Sequence, residues 1–159
     1  MRVLIVSDTH RKNDNFLQVI ADEKPFDLVL HCGDTEGSEH LFESACNCAF
    51  QAVAGNNDFF TNLPQELELT LEGYRVWMSH GHRYYVSMNT QRIWEEGRAK
   101  EVQIVLFGHT HRPLVECRQG IWLVNPGSLS YPRQEGRRPS YIVGELSPDR
   151  EPAFVIHYL

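Results

Sequence analysis

Short apolar segments alternate with polar clusters along the first two thirds of the chain. Five segments are mostly apolar, and they span residues 3–6, 28–30, 50–54, 76–78 and 104–107. Apolar runs of this length are typical of buried strands. Each run is followed within two residues by histidine, aspartate or asparagine. The pattern therefore predicts strands whose carboxyl ends carry polar side chains.

Three amphipathic stretches lie between these strands, at residues 13–23, 38–46 and 89–100. In the first of them, Phe16 and Val19 fall on one face of a helix, as expected for a helix that packs on a sheet. The chain thus begins as alternating strands and helices. Such an order predicts parallel strands whose two faces are both covered.

The pattern changes after residue 113, where apolar runs flank short turns. Residues 114–117 and 121–124 predict one hairpin, and residues 141–146 and 153–158 predict another. The whole chain, residues 1–159, has the length of one domain. We expect an α/β sandwich in which two sheets pack face to face with the helices outside. The arginines of the loop at residues 133–138 are expected to be solvated.

Seven polar side chains follow the ends of the five predicted strands: Asp8, His10, Asp34, Asn56, His80, His109 and His111. Ligands in open α/β folds bind beyond the carboxyl ends of the strands, so all seven should meet at one rim. Within an extended segment, Asp8 and His10 would point the same way because side chains alternate. Carboxylate, imidazole and amide oxygen are ligands of divalent transition ions.

The number of these side chains favours two metal ions over one. Two ions about 3.5–4 Å apart that share a bridging carboxylate would use all seven ligands. Two divalent ions and two aspartates would leave a net charge of about +2, which would hold a hydroxide and attract a phosphate group. The same side chains crowded together without a metal would cost several kcal/mol in repulsion and desolvation.

The motifs Asp-x-His, Gly-Asp, Gly-Asn-x-Asp, His-Gly and Gly-His-x-His occur here in that order. This order resembles the calcineurin-like metallophosphoesterases, most closely their small bacterial and archaeal phosphodiesterase branch. The resemblance implies a four-layered α/β sandwich with two mixed sheets. It also implies one ion held by Asp8, His10, Asp34 and His111, and another held by Asp34, Asn56, His80 and His109, with Asp34 bridging. Mn²⁺ is the favoured ion, and Ni²⁺, Co²⁺, Fe²⁺ and Zn²⁺ are alternatives.

One position departs from many phosphatases of that family, which have histidine directly after the asparagine. Here the position is Asn57, which cannot do acid–base work, so no catalytic residue is assigned beyond the metal-bound hydroxide. Asp58 is expected to orient a neighbour through the loop that holds Asp8 and His10. His31 either supports the site or is merely buried.

The favoured function is hydrolysis of a small phosphate ester by a hydroxide bridging the two metals. A phosphodiester is preferred on family likeness alone. The alternative is a non-catalytic protein-binding scaffold of the same fold, like the retromer subunit, whose metal site is degraded. The complete set of ligands favours the enzyme.

Net charge and hydropathy reduce the number of possible cellular locations and of possible binding partners. A net charge of −6 argues against a nucleic acid partner. No apolar stretch approaches the roughly 20 residues that span a bilayer, so we expect no membrane partner. The first apolar run is too short for an export signal, which predicts a cytoplasmic protein. A homodimer is left open.

Overall fold

A computed structural model of the protein describes residues 1–23 and 25–159. Its ten strands are β1 Arg2–Val6, β2 Leu28–His31, β3 Ala49–Ala52, β4 Glu66–Leu71, β5 Tyr74–Ser79, β6 Ile104–Leu106, β7 Pro113–Arg118, β8 Ile121–Pro126, β9 Ser140–Ser147 and β10 Arg150–Tyr158. Its α-helices are α1 Asp14–Asp22, α2 Glu39–Ala45 and α3 Gln91–Ala99, and His82–Tyr84 forms a short 3₁₀ turn.

The strands form two mixed five-stranded sheets. The first has the order β10-β9-β1-β2-β3, and the second has the order β4-β5-β6-β8-β7. β1, β2 and β3 run parallel in the first sheet, and β5, β6 and β8 run parallel in the second. The remaining neighbours pair antiparallel, including the predicted hairpins β7–β8 and β9–β10.

Both faces of each sheet are covered, which gives the fold four layers. Ile5 of the first sheet and Met78 and Leu106 of the second share one apolar core between the sheets. The other face of the first sheet packs on α1 and α2, where the tilted rings of Phe16 and Phe42 contact each other with centroids 4.1 Å apart. The other face of the second sheet packs on α3. The predicted sandwich, with sheets face to face and helices outside, is confirmed.

Sequence reasoning missed β4. Its residues Glu66–Leu71 alternate between charged or polar positions and leucines, which is the signal of a half-buried strand. The helices begin at Asp14 and Glu39, and neither Asn13 nor Ser38 before them makes a side-chain cap. Within the described residues, no helix combines the length and the apolar character needed to cross a membrane.

Candidate metal centre

The seven predicted ligands lie at one edge of the sandwich because the strands that precede them end there. The turns after β1, β2 and β3 carry Asp8, His10, Asp34 and Asn56, and the turns after β5 and β6 carry His80, His109 and His111. Parallel strands within each sheet place these ends side by side. The face-to-face packing of the two sheets then brings the two sets of turns together.

The backbone of these turns differs from the extended geometry expected from the sequence. Five ligand residues have φ between 45° and 67°: Asp8, His10, Asp34, His109 and His111. This left-handed region is uncommon for residues with a side chain. Alternation along a strand was therefore the wrong reason for pairing Asp8 with His10. The side chains converge because the chain turns sharply at each ligand.

Three imidazoles are oriented through their Nδ1 atoms. The acceptors are the Glu36 carboxylate for His10, the Tyr131 carbonyl for His111 and the Cys32 carbonyl for His80, each at 2.7 Å. A carbonyl or carboxylate oxygen can only accept, so the proton of each neutral ring sits on Nδ1. The Nε2 lone pairs of all three rings are therefore available to a metal ion.

These Nε2 atoms surround the carboxylate of Asp8. Its Oδ1 atom lies 3.0 Å from Nε2 of His111, 3.7 Å from that of His10 and 4.0 Å from that of His80. The carboxylate is fully buried, and Oδ1 has no hydrogen-bond partner among the described residues. A buried carboxylate oxygen surrounded by three imidazole nitrogens needs positive charge beside it, either protons on the rings or a metal cation. The donors therefore fit a divalent metal.

Asp34 occupies the corresponding position between two histidines. Its Oδ2 atom lies 3.8 Å from Nε2 of His10 and 3.5 Å from Nε2 of His80. The amide oxygen of Asn56 approaches Nε2 of His80 at 3.1 Å. The ring of His109 lies beside that of His80, with centroids 5.2 Å apart. The carboxylate thus faces a ligand from each predicted metal position.

Two compact groups of ligand atoms result, and within each group all atoms lie within 4.8 Å of one another. One group is Asp8, His10 and His111, and the other is Asp8, Asp34 and His80. Asn56 and His109 border the second group. Nitrogen and oxygen donors in this mixture suit divalent transition ions.

The protonation of the site reflects its two carboxylates. Burial lowers the pKa of His10, but the nearby Asp8 and Glu36 carboxylates outweigh it and raise that pKa to about 9. Burial raises the pKa of Asp34, but His80 and Asn57 hold it at about 2. Burial and the neighbouring His80 lower the pKa of His109 to about 4. The raised pKa of His10 and the lowered pKa of Asp34 therefore favour positive charge beside the carboxylates, whereas His109 is neutral.

Comparison with known proteins agrees with the geometry of the site. The model of the calcineurin-like phosphoesterase superfamily domain matches residues 1–149. The chain belongs to this superfamily. A probable metallophosphoesterase of Mycoplasma pneumoniae is 32% identical to this phosphoesterase-family chain over 160 residues, covering 99% of the chain and 97% of the relative.

Solved structures share the fold of this family member. An archaeal phosphodiesterase superposes with a TM-score of 0.76 at 21% identity, covering 99% of this chain and all of the other. Vps29 of Entamoeba histolytica complexed with Zn²⁺ superposes with a TM-score of 0.79 at 17% identity, covering 99% of both chains. These two similarities establish the fold. The chemistry has to be inferred from the site itself.

Two glycines let the ligand turns of this phosphoesterase domain approach each other. A Cβ atom at Gly55 would collide with Oδ1 of Asp34, and one at Gly108 would collide with Oγ of Ser7. Both glycines lie where a turn of one strand end passes directly against the next. Any larger residue would push the ligand turns apart.

Asp58 fixes the turn that carries Asp34. Its Oδ2 atom accepts hydrogen bonds from the backbone amides of Asp34 and Gly55, both at 2.7 Å. Its Oδ1 atom accepts from the amide of Glu36 at 2.6 Å and from the Thr35 hydroxyl at 3.1 Å. The expectation that Asp58 acts through the loop of Asp8 and His10 was wrong. It buttresses the next ligand turn instead.

Asn57 also contacts Asp34. Its backbone amide donates to Oδ1 at 2.8 Å, and its side-chain amide donates to Oδ2 at 2.7 Å. Both bonds stabilise the ionised form of the carboxylate. The asparagine therefore positions Asp34, and its neutral amide offers no acidic proton.

Sequence reasoning gave no role to several groups that hold the ligands. The short turn after Asp34 places Glu36 beside the site. Tyr131 contributes a backbone carbonyl, and no sequence motif reveals such a contact. Ser128 donates to the Asp8 carbonyl at 2.8 Å and accepts from the Tyr131 amide at the same distance. The segment after β8 is thereby fastened to the first ligand turn.

His31 is completely buried beneath the site and ties two ligand turns together. Its Nδ1 atom accepts from the Gly33 amide, and its Nε2 atom lies 3.2 Å from the Thr9 hydroxyl. Thr9 in turn donates to the Asp34 carbonyl at 3.4 Å. Burial lowers the pKa of His31 to about 4. The imidazole is therefore neutral and supports the site, which was one of the two options left open.

This burial predicts an acid sensitivity that His31→Gln should reduce. In the unfolded chain the imidazole takes up its proton near pH 6.5, whereas in the fold it does so only near pH 4. Between these values the unfolded state binds more protons, so the free energy of unfolding falls as the pH is lowered. The loss attributable to His31 should reach about 3 kcal/mol by pH 4. Urea unfolding of both proteins in chelator, from pH 7 to 4, measures the difference. Identical pH slopes would contradict it.

Proposed function

We propose that the protein is a metal-dependent phosphoesterase that hydrolyses a small phosphodiester. Two divalent ions would be held by the seven ligands, with Asp34 shared between them and Mn²⁺ as the favoured ion. The observation that carries this proposal is the set of Nε2 atoms that surrounds two buried carboxylates, one of which has an unpartnered oxygen. Asp34 is assigned the shared position on the family resemblance, and its Oδ2 atom faces both His10 and His80. Asp8 also faces both histidines and belongs to both groups of ligand atoms.

The side chains prepare the site for a negatively charged substrate. Divalent ions lower the pKa of water toward about 7 and neutralise charge on phosphoryl oxygens. Asp8 and Asp34 supply the negative charge that retains the ions. The Nδ1 bonds of three histidines fix their rings before any ligand binds, so little reorganisation is needed during the reaction.

A scaffold without activity is the second candidate, since Vps29 shares this fold. Fold similarity at 17% identity does not separate an enzyme from a binding protein. The ligand set supports the enzyme, because every predicted ligand is present and lies at one edge. The oriented rings and the buttressed Asp34 turn support a working centre.

The direct test is hydrolysis of bis(p-nitrophenyl) phosphate by protein purified without chelator. We expect nitrophenol release with Mn²⁺, Ni²⁺ or Co²⁺ and much less with Mg²⁺, which prefers all-oxygen octahedral sites. Elemental analysis and calorimetry should give about two ions per chain. No turnover with any of these metals, in protein that binds two ions, would favour the scaffold instead.

Position 57 gives a second prediction, about the leaving group. An alkoxide needs a proton to depart, whereas an aryloxide does not, and Asn57 supplies none. Turnover should therefore depend steeply on the pKa of the leaving group. Asn57→His should raise the rate for alkyl esters more than for aryl esters, by up to about 10²-fold, the lower end of what general acid catalysis contributes.

The measurement is kcat for a series of esters with graded leaving groups, run on both proteins. Asn57→Ala is the matched control, because it removes the amide contact to Asp34 without adding an acid. Parallel dependences for wild type and Asn57→His would show that position 57 supplies no acid in either protein. A cytoplasmic location and a single domain stay predictions from sequence, and the homodimer stays open.

A further inference from the structure

A pocket of about 750 Å³ opens directly beside the metal centre. Two residues of the centre, His10 and Asn57, form one side of it. Three arginines also line it: Arg112, Arg133 and Arg137. The volume lies within the range of small-molecule sites, about 300–1,000 Å³. A substrate whose phosphorus sits at the centre would therefore extend toward these arginines.

The arginines of this pocket lack carboxylate partners. Among the residues that the structure describes, none of the three forms an ion pair. The guanidinium groups of Arg133 and Arg137 have no acceptor in the described part of the chain, and Arg112 donates only to the Arg133 carbonyl, at 3.3 Å. By contrast, Arg118 at the end of β7 pairs with Glu116 at 2.9 Å.

The wall that carries the arginines is anchored to the centre. The Arg133 amide donates to the His111 carbonyl at 2.9 Å. The ring of Tyr131, which also lines the pocket, meets the ring of His10 edge-on with centroids 5.4 Å apart. The arginine loop thus has a defined position relative to the ligands.

The pocket also contains one carboxylate, that of Glu36. It is engaged by Nδ1 of His10 at 2.7 Å and lies 3.9 Å from Arg11. The three guanidinium groups without a carboxylate partner therefore leave the pocket positive, although the chain as a whole has a net charge of −6. A small positive patch on an acidic protein attracts a small anion and disfavours a long polyanion.

We infer that this pocket binds a second phosphate of the substrate. The substrate is then a phosphodiester that carries a further phosphate group on one of its two esterified alcohols. Arginine suits this role because its planar donors match phosphate oxygens in pairs. The inference rests on the proposed phosphoesterase function and specifies the substrate class of the same site.

A pair of substrates tests the inference: the p-nitrophenyl ester of thymidine 5′-phosphate, with and without a 3′-phosphate. The added phosphate should lower KM by roughly 10- to 100-fold, the scale of charge-assisted hydrogen bonds, and change kcat little. In the variant R133Q/R137Q the two KM values should converge. R138Q is the matched control, because the Arg138 guanidinium donates to the carbonyls of Tyr158 and Leu159. It should keep the full preference.

A binding measurement separates failure of this inference from failure of the proposed function. Inorganic pyrophosphate is titrated calorimetrically into chelator-treated wild type, R133Q/R137Q and R138Q. We expect weaker binding, by about tenfold or more, only in the double variant. Hydrolysis of both esters with equal KM, or equal pyrophosphate binding by all three proteins, would overturn the subsite. If R133Q/R137Q loses pyrophosphate binding while the wild type hydrolyses neither ester, the subsite is supported and the phosphodiesterase is overturned.

Discussion

Asp34→Asn is expected to reduce kcat/KM for bis(p-nitrophenyl) phosphate on the order of 10³-fold. The substitution removes one of the two negative charges that face both His10 and His80, the other being that of Asp8. Both ions should therefore bind more weakly, while the backbone of the turn stays in place because Asp58 holds it. Calorimetric titration with Mn²⁺, together with kcat/KM at saturating metal, measures both effects.

Three comparisons make this test specific. His111→Ala and His80→Ala each remove a ligand on one side of the centre, so each should weaken one ion and retain the other. Asp149→Asn removes an exposed carboxylate in the turn between β9 and β10 and should change neither binding nor activity. Near-normal activity of Asp34→Asn at saturating Mn²⁺ would show that Asp34 is not shared between two ions.

Asp58→Asn should give the largest loss of stability among substitutions at the site. Each carboxylate oxygen of Asp58 accepts two hydrogen bonds, from Asp34 and Gly55 on one side and from Thr35 and Glu36 on the other. An amide must turn its NH₂ group toward one of these pairs. Two donors then lose their acceptor, at about 1–3 kcal/mol each, so we expect a loss of roughly 2–6 kcal/mol.

Urea unfolding of chelator-treated protein measures this loss, with Asp149→Asn as the control for removal of one charge. Metal affinity should fall as well, by about 10- to 100-fold, because the Asp34 turn is no longer held. A variant with full stability in chelator that binds one ion fewer would identify Asp58 as a direct ligand instead.

The architecture could be predicted from the sequence because the evidence for buried strands is local. Apolar runs such as residues 3–6 and 104–107 mark buried strands whatever their neighbours are. The position of the site followed from a topological rule, that parallel strands end at a common edge. β4 was missed even though its leucines alternate with glutamates, since strand prediction had relied on continuous apolar runs.

The contacts around the ligands could not be predicted in the same way. Asp58 lies near Asp34 in space but 24 residues away in sequence, and which turn it buttresses depends on how the strands pair. The loop of arginines at residues 133–138 has the sequence pattern of a solvated loop. These arginines are exposed as expected, yet Arg133 and Arg137 border the pocket while Arg138 faces the carboxyl terminus.

The left-handed backbone of the ligand turns has a consequence for how such a chain can change over generations. A non-glycine residue in this conformation costs on the order of 1 kcal/mol or more, a cost that glycine avoids. Five ligand positions carry this cost: Asp8, His10, Asp34, His109 and His111. Selection for a sturdier fold would replace them by glycine, whereas selection for ligation retains them. If the proposed hydrolysis is correct, a lineage that no longer depends on it would gain stability by losing these residues first.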